Sequence, residues 1–230
     1  MILSHKHRFI FLKTKKTAGT SIEIGLSELC GDDDVITPLT KTDERLRSGK
    51  RGAQNWRQHG WWNSPRPFRQ RRMFKTAAQD YGFYNHMTAA AAKALINDDD
   101  IWRSYFKFAF DRNPWDRQVS YYHYCFRDRT AQPSFESFVQ SDRRARLNNY
   151  DIYAIDGRVA VDFVGRYETL GGDLKRALGN MGLDEDVQLP RAKGSFRKEQ
   201  RSYRDYYTPE SQRLVGEWYK SEIALLGYEF

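Results

Sequence analysis

The stretch that decides the fold is Phe9-Ile-Phe-Leu-Lys-Thr-Lys-Lys-Thr-Ala-Gly-Thr-Ser-Ile-Glu23. Its first four residues, Phe9–Leu12, are apolar and β-prone, which predicts a buried strand. After the polar residues that follow, Ile22, Leu26 and Leu29 recur at helical spacing. The sequence therefore predicts a strand, a tight loop and a helix. The loop's N–H groups and the helix dipole would together favour an anion such as a phosphate.

The order of residues in this loop separates it from the loop of nucleotide triphosphatases. That loop, Gly-x-x-x-x-Gly-Lys-Ser/Thr, has its lysine directly before the hydroxyl that holds magnesium. Here Lys16 precedes the glycine, and the segment contains no Gly-Lys-Ser/Thr. The loop resembles the 5′-phosphosulfate loop of sulfotransferases that use 3′-phosphoadenosine 5′-phosphosulfate (PAPS), in their bacterial and carbohydrate branch. The resemblance implies that Lys16 also has a catalytic role, at the leaving phosphate. The donor-binding residues it implies are Lys16, Thr17, Ala18, Gly19, Thr20 and Ser21.

A second block, Tyr105–Phe126, repeats the strand-turn-helix pattern. It places Arg112 at the carboxyl end of a strand and Ser120 in the following helix, and ligands of open α/β sheets bind outside the carboxyl ends of strands. The block resembles the 3′-phosphate segment of the same family, Arg-Asn-Pro-x-Asp-Arg-x-x-Ser, which implies that Arg112 and Ser120 bind that phosphate. Asp111, directly before the arginine, departs from the pattern and predicts weaker binding, because it adds a negative charge.

Two weaker matches follow along the chain. Val161–Leu170 resembles the family's Gly-Arg-Phe/Tyr-Glu strand, although Arg166 and Glu168 could equally form a structural ion pair. The basic loop at 189–204 resembles one that closes over the nucleotide, which makes Lys193 and Ser195 candidate donor contacts. A solvated loop is the alternative there.

His86 lies at the start of a helix-forming, alanine-rich stretch between the two donor motifs. In uronyl and heparan 2-O-sulfotransferases, which this chain resembles, a histidine base lies between those motifs. The pKa of an unperturbed histidine, near neutrality, suits it to accept a hydroxyl proton. His86 is therefore the candidate base, while other sulfotransferases use a glutamate elsewhere.

Composition limits the remaining possibilities. The chain has 230 residues, of which 40% are hydrophobic and 15% aromatic, so we expect one domain over 1–230. A formal charge of +8 implies an anionic partner without naming it. A segment at about 41–73, rich in arginine and tryptophan, shows no periodicity and is predicted to be an insertion. It could be a solvated loop, a lid or acceptor-binding arm, or a binding site for single-stranded nucleic acid.

The cysteine, histidine and hydropathy patterns give no indication of a disulfide framework, a metal site or a membrane span. Cys30 and Cys125 lie far apart and outside any Cys-x-x-Cys pair, so neither a disulfide framework nor a zinc site is indicated. His5 and His7 lack a third ligand, and no metal site is expected. No secretory or membrane-spanning stretch is seen, so we expect no membrane span and a cytoplasmic protein.

These observations predict an α/β protein with a mostly parallel central sheet flanked by helices, a P-loop-like sulfotransferase fold. The predicted function is transfer of a sulfuryl group from PAPS to a hydroxyl acceptor, most naturally a carbohydrate such as a glycan or glycolipid, with a histidine base. No nucleic-acid partner is expected from this interpretation. A P-loop-type kinase and a basic nucleic-acid-binding module remain as alternatives, and the sequence leaves the oligomeric state open.

Overall fold

The computed structural model describes residues 1–47, 51–57, 82–141, 147–185, 187–190 and 201–230. The strands are β1 (Ile2–Ser4), β2 (Phe9–Leu12), β3 (Val35–Ile36), β4 (Phe106–Asp111), β5 (Ala154–Ile155), β6 (Arg158–Val159) and β7 (Phe163–Arg166). The helices are α1 (Gly19–Ser27), α2 (Lys41–Glu44), α3 (Ala89–Ile96), α4 (Asp99–Ser104), α5 (Pro114–Phe126), α6 (Phe135–Val139), α7 (Tyr150–Tyr153), α8 (Leu170–Asn180), α9 (Pro209–Trp218) and α10 (Lys220–Leu226). Short 3₁₀ turns cover Arg45–Arg47, Tyr167–Thr169 and Tyr203–Tyr206.

The central sheet has the strand order β3-β1-β2-β4-β7, and helices flank it, which confirms the predicted α/β class. Strands β2, β4 and β7 run parallel to one another, whereas β1 is antiparallel to both β2 and β3. The expectation of a mostly parallel sheet therefore holds only for the β2-β4-β7 half. The reason is the short connection between β1 and β2, since a tight turn can join only antiparallel strands. Asp34 stabilises that turn by accepting N–H bonds from His5 and Lys6 at 2.6 and 3.1 Å.

The alternation of strand residues divides the core between the two faces of the sheet. Phe9, Phe11, Phe108 and Phe110 pack on one face against apolar residues of α1 and α8. Ile10, Leu12 and Ala109 pack on the other face with residues of α3, α4 and α7. Each fully buried Phe or Leu contributes about 1.5–3 kcal/mol to folding. A third aromatic cluster joins α5, α6, α9 and the C-terminus, with Trp115 and Phe135 among its members.

The register of the sheet places the two predicted donor motifs side by side. Leu12, the last residue of β2, pairs with Ala109 of β4, so the segments that follow both strands leave the sheet at the same edge. Asn113 then caps α5 by accepting an N–H bond from Trp115 at 3.0 Å. Within the described ranges, none of the helices is both long and apolar enough to cross a membrane.

Candidate functional site

The loop between β2 and α1, residues 13–18, contains two left-handed residues. Lys16 has φ 64° and Ala18 has φ 57°, and a non-glycine residue in this region costs on the order of 1–3 kcal/mol. Ala18 is the N-cap of α1 and makes no side-chain capping bond. The first bond of the helix runs from the Ile22 N–H to the Ala18 carbonyl at 3.1 Å. The N–H groups of Gly19–Ser21 therefore precede the helical ladder, where the dipole favours an anion.

The hydroxyls of Thr14 and Thr17 in the loop form hydrogen bonds with other protein groups. Thr17 is buried, and its Oγ1 lies 2.7 Å from Thr14 Oγ1. Thr14 in turn donates a hydrogen bond to the carbonyl of Phe110 in β4. The Thr17 hydroxyl thus closes the loop and ties it to the neighbouring strand. Thr20 and Ser21 are also buried, in the first turn of α1.

Gly19 is required by the path of the Lys13 side chain. A Cβ atom on Gly19 would lie 2.8 Å from Lys13 Cγ and 3.2 Å from the carbonyl oxygen of Thr14. The lysine passes beneath the start of α1 to Glu23, where Nζ and Oε2 are 2.9 Å apart. Arg47 reaches the other oxygen of the same carboxylate at 3.1 Å. Arg47, in the first described part of the predicted insertion, and Lys13 of the loop therefore share one carboxylate.

Arg112 lies at the carboxyl end of β4, where the sequence predicted it. Its Nε and Nη2 donate to Asp116 Oδ2 at 2.9 and 2.6 Å, and its guanidinium carbon lies 4.2 Å from the centroid of the Tyr167 ring. Its Nη1 donates to the carbonyl of Lys16 at 3.4 Å. This last bond brings the two predicted donor motifs into direct contact.

One face of α5 extends this contact. Asp116, Ser120 and Tyr124 follow each other at four-residue spacing and are all partly exposed, so they are neighbours on the helix surface. Asp116 holds Arg112, and the Tyr124 ring centroid lies 4.5 Å from Lys16 Nζ. Ser120 therefore lies between the residues that contact the two predicted cofactor cations.

His86 lies beside the same loop. Its Nδ1 is 3.0 Å from the carbonyl oxygen of Lys13, and its backbone is left-handed, with φ 60°. Burial first, and then the positive charge of Lys13, lower the pKa of His86 to about 3. The imidazole is therefore neutral near pH 7 and able to accept a proton. Two residues later, Thr88 caps α3 by accepting an N–H bond from Ala91 at 3.2 Å.

The carboxylate of Asp111 is held by contacts within the protein. The side chain is fully buried and forms an ion pair with the equally buried Arg117, with Oδ1 to Nη1 at 2.5 Å. It also accepts bonds from Asn149 Nδ2 at 3.0 Å and from the Tyr153 hydroxyl at 2.8 Å. Arg117 also pairs with the buried carboxylate of Glu222, with Nη2 to Oε1 at 3.1 Å, so two carboxylates share its positive charge. The expectation that Asp111 weakens anion binding at Arg112 stays a prediction.

The Val161–Leu170 match contributes Tyr167 and Glu168 to the surroundings of Arg112. Glu168 accepts a bond from the Asn113 N–H at 2.8 Å and from the Tyr228 hydroxyl at 3.2 Å. Tyr167 provides the ring beneath Arg112. This segment therefore holds the turn that follows β4.

Some predicted site residues lie outside the described parts of the chain, and some residues that contact the loop were not predicted. Lys193 and Ser195 lie outside the described residues, as does much of the 41–73 segment. Sequence reasoning missed Glu23 and Asn149, which contact the loop from α1 and from the start of α7. Only the position of a glutamate inside an otherwise uncharged helix pointed to Glu23, and no local signal pointed to Asn149. Among the described residues, no group of three or more His, Cys, Asp or Glu could hold a metal ion.

Comparison with known proteins agrees with this geometry. The family model described as "Sulfotransferase family" matches residues 1–229. The chain belongs to the sulfotransferase family. This sulfotransferase is also 36% identical over 93 residues to an uncharacterized protein of Archaeoglobus fulgidus, a match that covers 39% of this chain and 78% of the archaeal protein. No solved structure matches the chain significantly.

Membership of the family makes the protein an enzyme, a transferase that moves a sulfuryl group to a hydroxyl acceptor. The α1 loop and Arg112 meet at the sheet edge, and both offer groups that suit an anion. The α1 loop offers N–H groups at a helix start. Arg112 offers a guanidinium fork suited to phosphate or sulfate oxygens.

Proposed function

We propose that the protein is a PAPS-dependent sulfotransferase that acts on a hydroxyl of a carbohydrate acceptor. The observation that carries the proposal is the 3.4 Å bond from Arg112 Nη1 to the Lys16 carbonyl. The bond joins two candidate anion-binding elements, each following a parallel strand, and this supports a single small ligand that contacts both. Such an arrangement suits a nucleotide with a phosphate at each end of its ribose, and it resembles that of P-loop-like folds.

The residues present fit such a donor. On the 5′ side, the first turn of α1 and the ammonium group of Lys16 would hold the phosphosulfate. On the 3′ side, Arg112 and Ser120 would hold the second phosphate. Lys193 and Ser195 remain proposals for closure over the nucleotide. When bound, PAPS supplies a sulfuryl group attached to a phosphate that leaves readily.

Lys16 is the proposed stabiliser of the leaving phosphate. In the structure its ammonium lies against the Tyr124 ring, an attraction of about 0.5–1 kcal/mol at exposed sites. That is weaker than a charge-assisted bond to a phosphate, which contributes about 1.5–3 kcal/mol. Lys16 can therefore leave the ring for an anionic ligand.

His86 is the proposed general base for the acceptor hydroxyl. A carbonyl oxygen can only accept a hydrogen bond, so the Lys13 contact requires the proton on Nδ1 and leaves the lone pair on Nε2. Negative charge that develops on the leaving phosphate raises the proton affinity of a nearby imidazole. A histidine that is neutral before the reaction can thus take up the acceptor proton during it.

A carbohydrate acceptor is favoured by basic and aromatic side chains near the start of the predicted insertion. Trp56 and Arg57 form one such pair, with the guanidinium 4.8 Å from the ring centroid. Aromatic faces pack on sugar rings and cations pair with acidic groups, so a glycan or glycolipid suits this composition. The acceptor would approach from the His86 side of the loop.

Calorimetric titration tests the donor assignment. We expect micromolar, magnesium-independent binding of adenosine 3′,5′-bisphosphate, the reaction product, in preference to ADP and ATP. Arg112→Ala should abolish the preference for the 3′-phosphate, while the surface variant Arg213→Ala should not. A preference for ATP with magnesium would instead support a kinase. Salt-sensitive oligonucleotide binding that is indifferent to the bisphosphate would support a nucleic-acid-binding module.

A further inference from the structure

Asn149 pairs with both main-chain polar groups of one residue in the proposed donor loop. Its Nδ2 donates to the carbonyl of Lys15 at 3.0 Å, and its Oδ1 accepts from the N–H of the same residue at 2.9 Å. The asparagine is fully buried. The two bonds cross 134 residues of sequence and hold the residue directly before the left-handed Lys16.

Asn149 makes these bonds instead of capping its own helix. It occupies the N-cap of α7, yet it makes no side-chain capping bond. Asparagine is among the best N-cap residues, and such a cap contributes about 1 kcal/mol. The side chain is therefore directed to the loop at some cost to local helix stability.

The second N–H bond of the amide nitrogen leads to Arg112. Asn149 Nδ2 also donates to Asp111 Oδ1 at 3.0 Å, and Asp111 Oδ1 accepts the Arg112 N–H at 2.8 Å. Asp111 is itself held by the buried Arg117. A continuous buried polar chain thus runs from Lys15 through Asn149 and Asp111 to the backbone of Arg112.

We propose that Asn149, backed by Asp111, is a positioning residue that sets the spacing between the α1 loop and Arg112. This inference rests on the proposed function, in which the spacing lets one adenosine 3′,5′-bisphosphate bind at both sites at once. Without the clamp, the loop can relax its left-handed residues, because strained backbone persists only where surrounding contacts hold it. The 5′ end of the ligand then loses its site while the 3′ end keeps Arg112.

The test compares Asn149→Ala with Tyr153→Phe in the full chain. Tyr153 donates to Asp111 Oδ2 at 2.8 Å, so the control also loses one bond to the carboxylate, but within the described ranges Tyr153 makes no hydrogen bond to the loop. The ligands are adenosine 3′,5′-bisphosphate, adenosine 5′-monophosphate and adenosine 3′-monophosphate, titrated calorimetrically. Hydrogen exchange of residues 13–21 is followed in the ligand-free proteins, and thermal unfolding is recorded for both variants.

We expect Asn149→Ala to weaken bisphosphate binding at least about tenfold, as the loss of one or two hydrogen bonds would. Affinity for the 3′-monophosphate should stay within about threefold, and exchange should rise at residues 13–21. Tyr153→Phe should lower the unfolding temperature without either effect. If Asn149→Ala does not fold, Asn149→Ser is measured in the same way.

The outcomes separate this inference from the proposed function. Unchanged affinity and exchange in a destabilised Asn149→Ala would overturn the positioning role and leave a purely structural asparagine. Failure of the wild-type protein to bind any of the three nucleotides would remove the donor assignment. The exchange of the loop amides would then still show whether Asn149 holds the loop.

Discussion

His86 Nδ1 donates a hydrogen bond of 3.0 Å to the main-chain carbonyl of Lys13, the residue whose ammonium is buried against Glu23. This contact sets the tautomer of the imidazole, because the carbonyl cannot donate. The same lysine contributes to the low pKa of His86 through its charge. One loop residue thus orients the proposed base and keeps it neutral.

The low pKa of His86 makes the fold sensitive to acid. Because the pKa is about 3 in the folded protein and 6.5 in the unfolded chain, the unfolded state binds more protons between these values. The free energy of unfolding is therefore highest above pH 6.5 as far as His86 is concerned, and it falls as the pH falls toward 3. By pH 5 the loss is about 2 kcal/mol. Urea unfolding at pH 7.5 and at pH 5 measures this difference in the free energy of unfolding.

The matched variant for this measurement is His86→Asn. Asparagine tolerates the left-handed backbone at this position and keeps a donor for the Lys13 carbonyl, but it does not titrate. Its stability loss between pH 7.5 and pH 5 should therefore be smaller than that of the wild type. Equal losses in both proteins would show that His86 is not the responsible group.

The same variant tests the base assignment. General base catalysis contributes about 10²–10⁴-fold, so His86→Asn should lower kcat by that range with PAPS and a responsive acceptor. Its affinity for adenosine 3′,5′-bisphosphate should be retained, since His86 is not proposed to hold the nucleotide. A kcat close to that of the wild type would transfer the role to another residue.

Lys16→Met should reduce turnover much more than stability. Removing one group that stabilises a developing negative charge costs about 10²–10³-fold in kcat. The side chain is only partly buried, so the free energy of unfolding should change by less than about 1 kcal/mol. Lys175→Met, on the exposed face of α8, removes the same charge and should affect neither quantity.

Gly19→Ala should destabilise the protein through a clash with Lys13. The added Cβ would lie 2.8 Å from Lys13 Cγ, and the lysine cannot move aside because Glu23 holds its ammonium. We expect a loss of about 1–3 kcal/mol, typical of overpacking. Gly172→Ala, where the Cβ meets nothing within 4 Å, should stabilise α8 by about 0.5–1 kcal/mol. Denaturant unfolding of both variants distinguishes the clash from a general effect of helix propensity.

Glu23→Gln should be among the most damaging single substitutions. It leaves the buried ammonium of Lys13 and guanidinium of Arg47 without their shared carboxylate, and breaking a buried pair costs about 3–5 kcal/mol. Glu217→Gln removes an exposed partner of Arg213 and should cost at most about 1 kcal/mol. Similar losses in the two variants would show that the buried cluster contributes little.

Local patterns were sufficient for the main elements of the site. The change from strand to helix period around residues 9–29 predicted β2, the loop and α1, and the alternation at Phe106, Phe108 and Phe110 predicted β4. These patterns report which side chains must face a core, and that requirement acts over a few residues. Strand β1 was missed because its three residues are too few to show a period.

What the sequence by itself determined is therefore the class of fold, the two strand-loop-helix units and the family. What only the tertiary structure decided is how the polar side chains are used. Asp111 pairs with the buried Arg117, the Thr17 hydroxyl bonds to Thr14, and Asn149 pairs with Lys15. The physical reason is that burial of apolar side chains produces a repeating pattern along nearby residues. A hydrogen bond or ion pair instead needs a single partner of suitable geometry, which leaves no repeating pattern in the sequence. The partners of Lys15 and Glu23 come from parts of the chain whose positions depend on the completed fold.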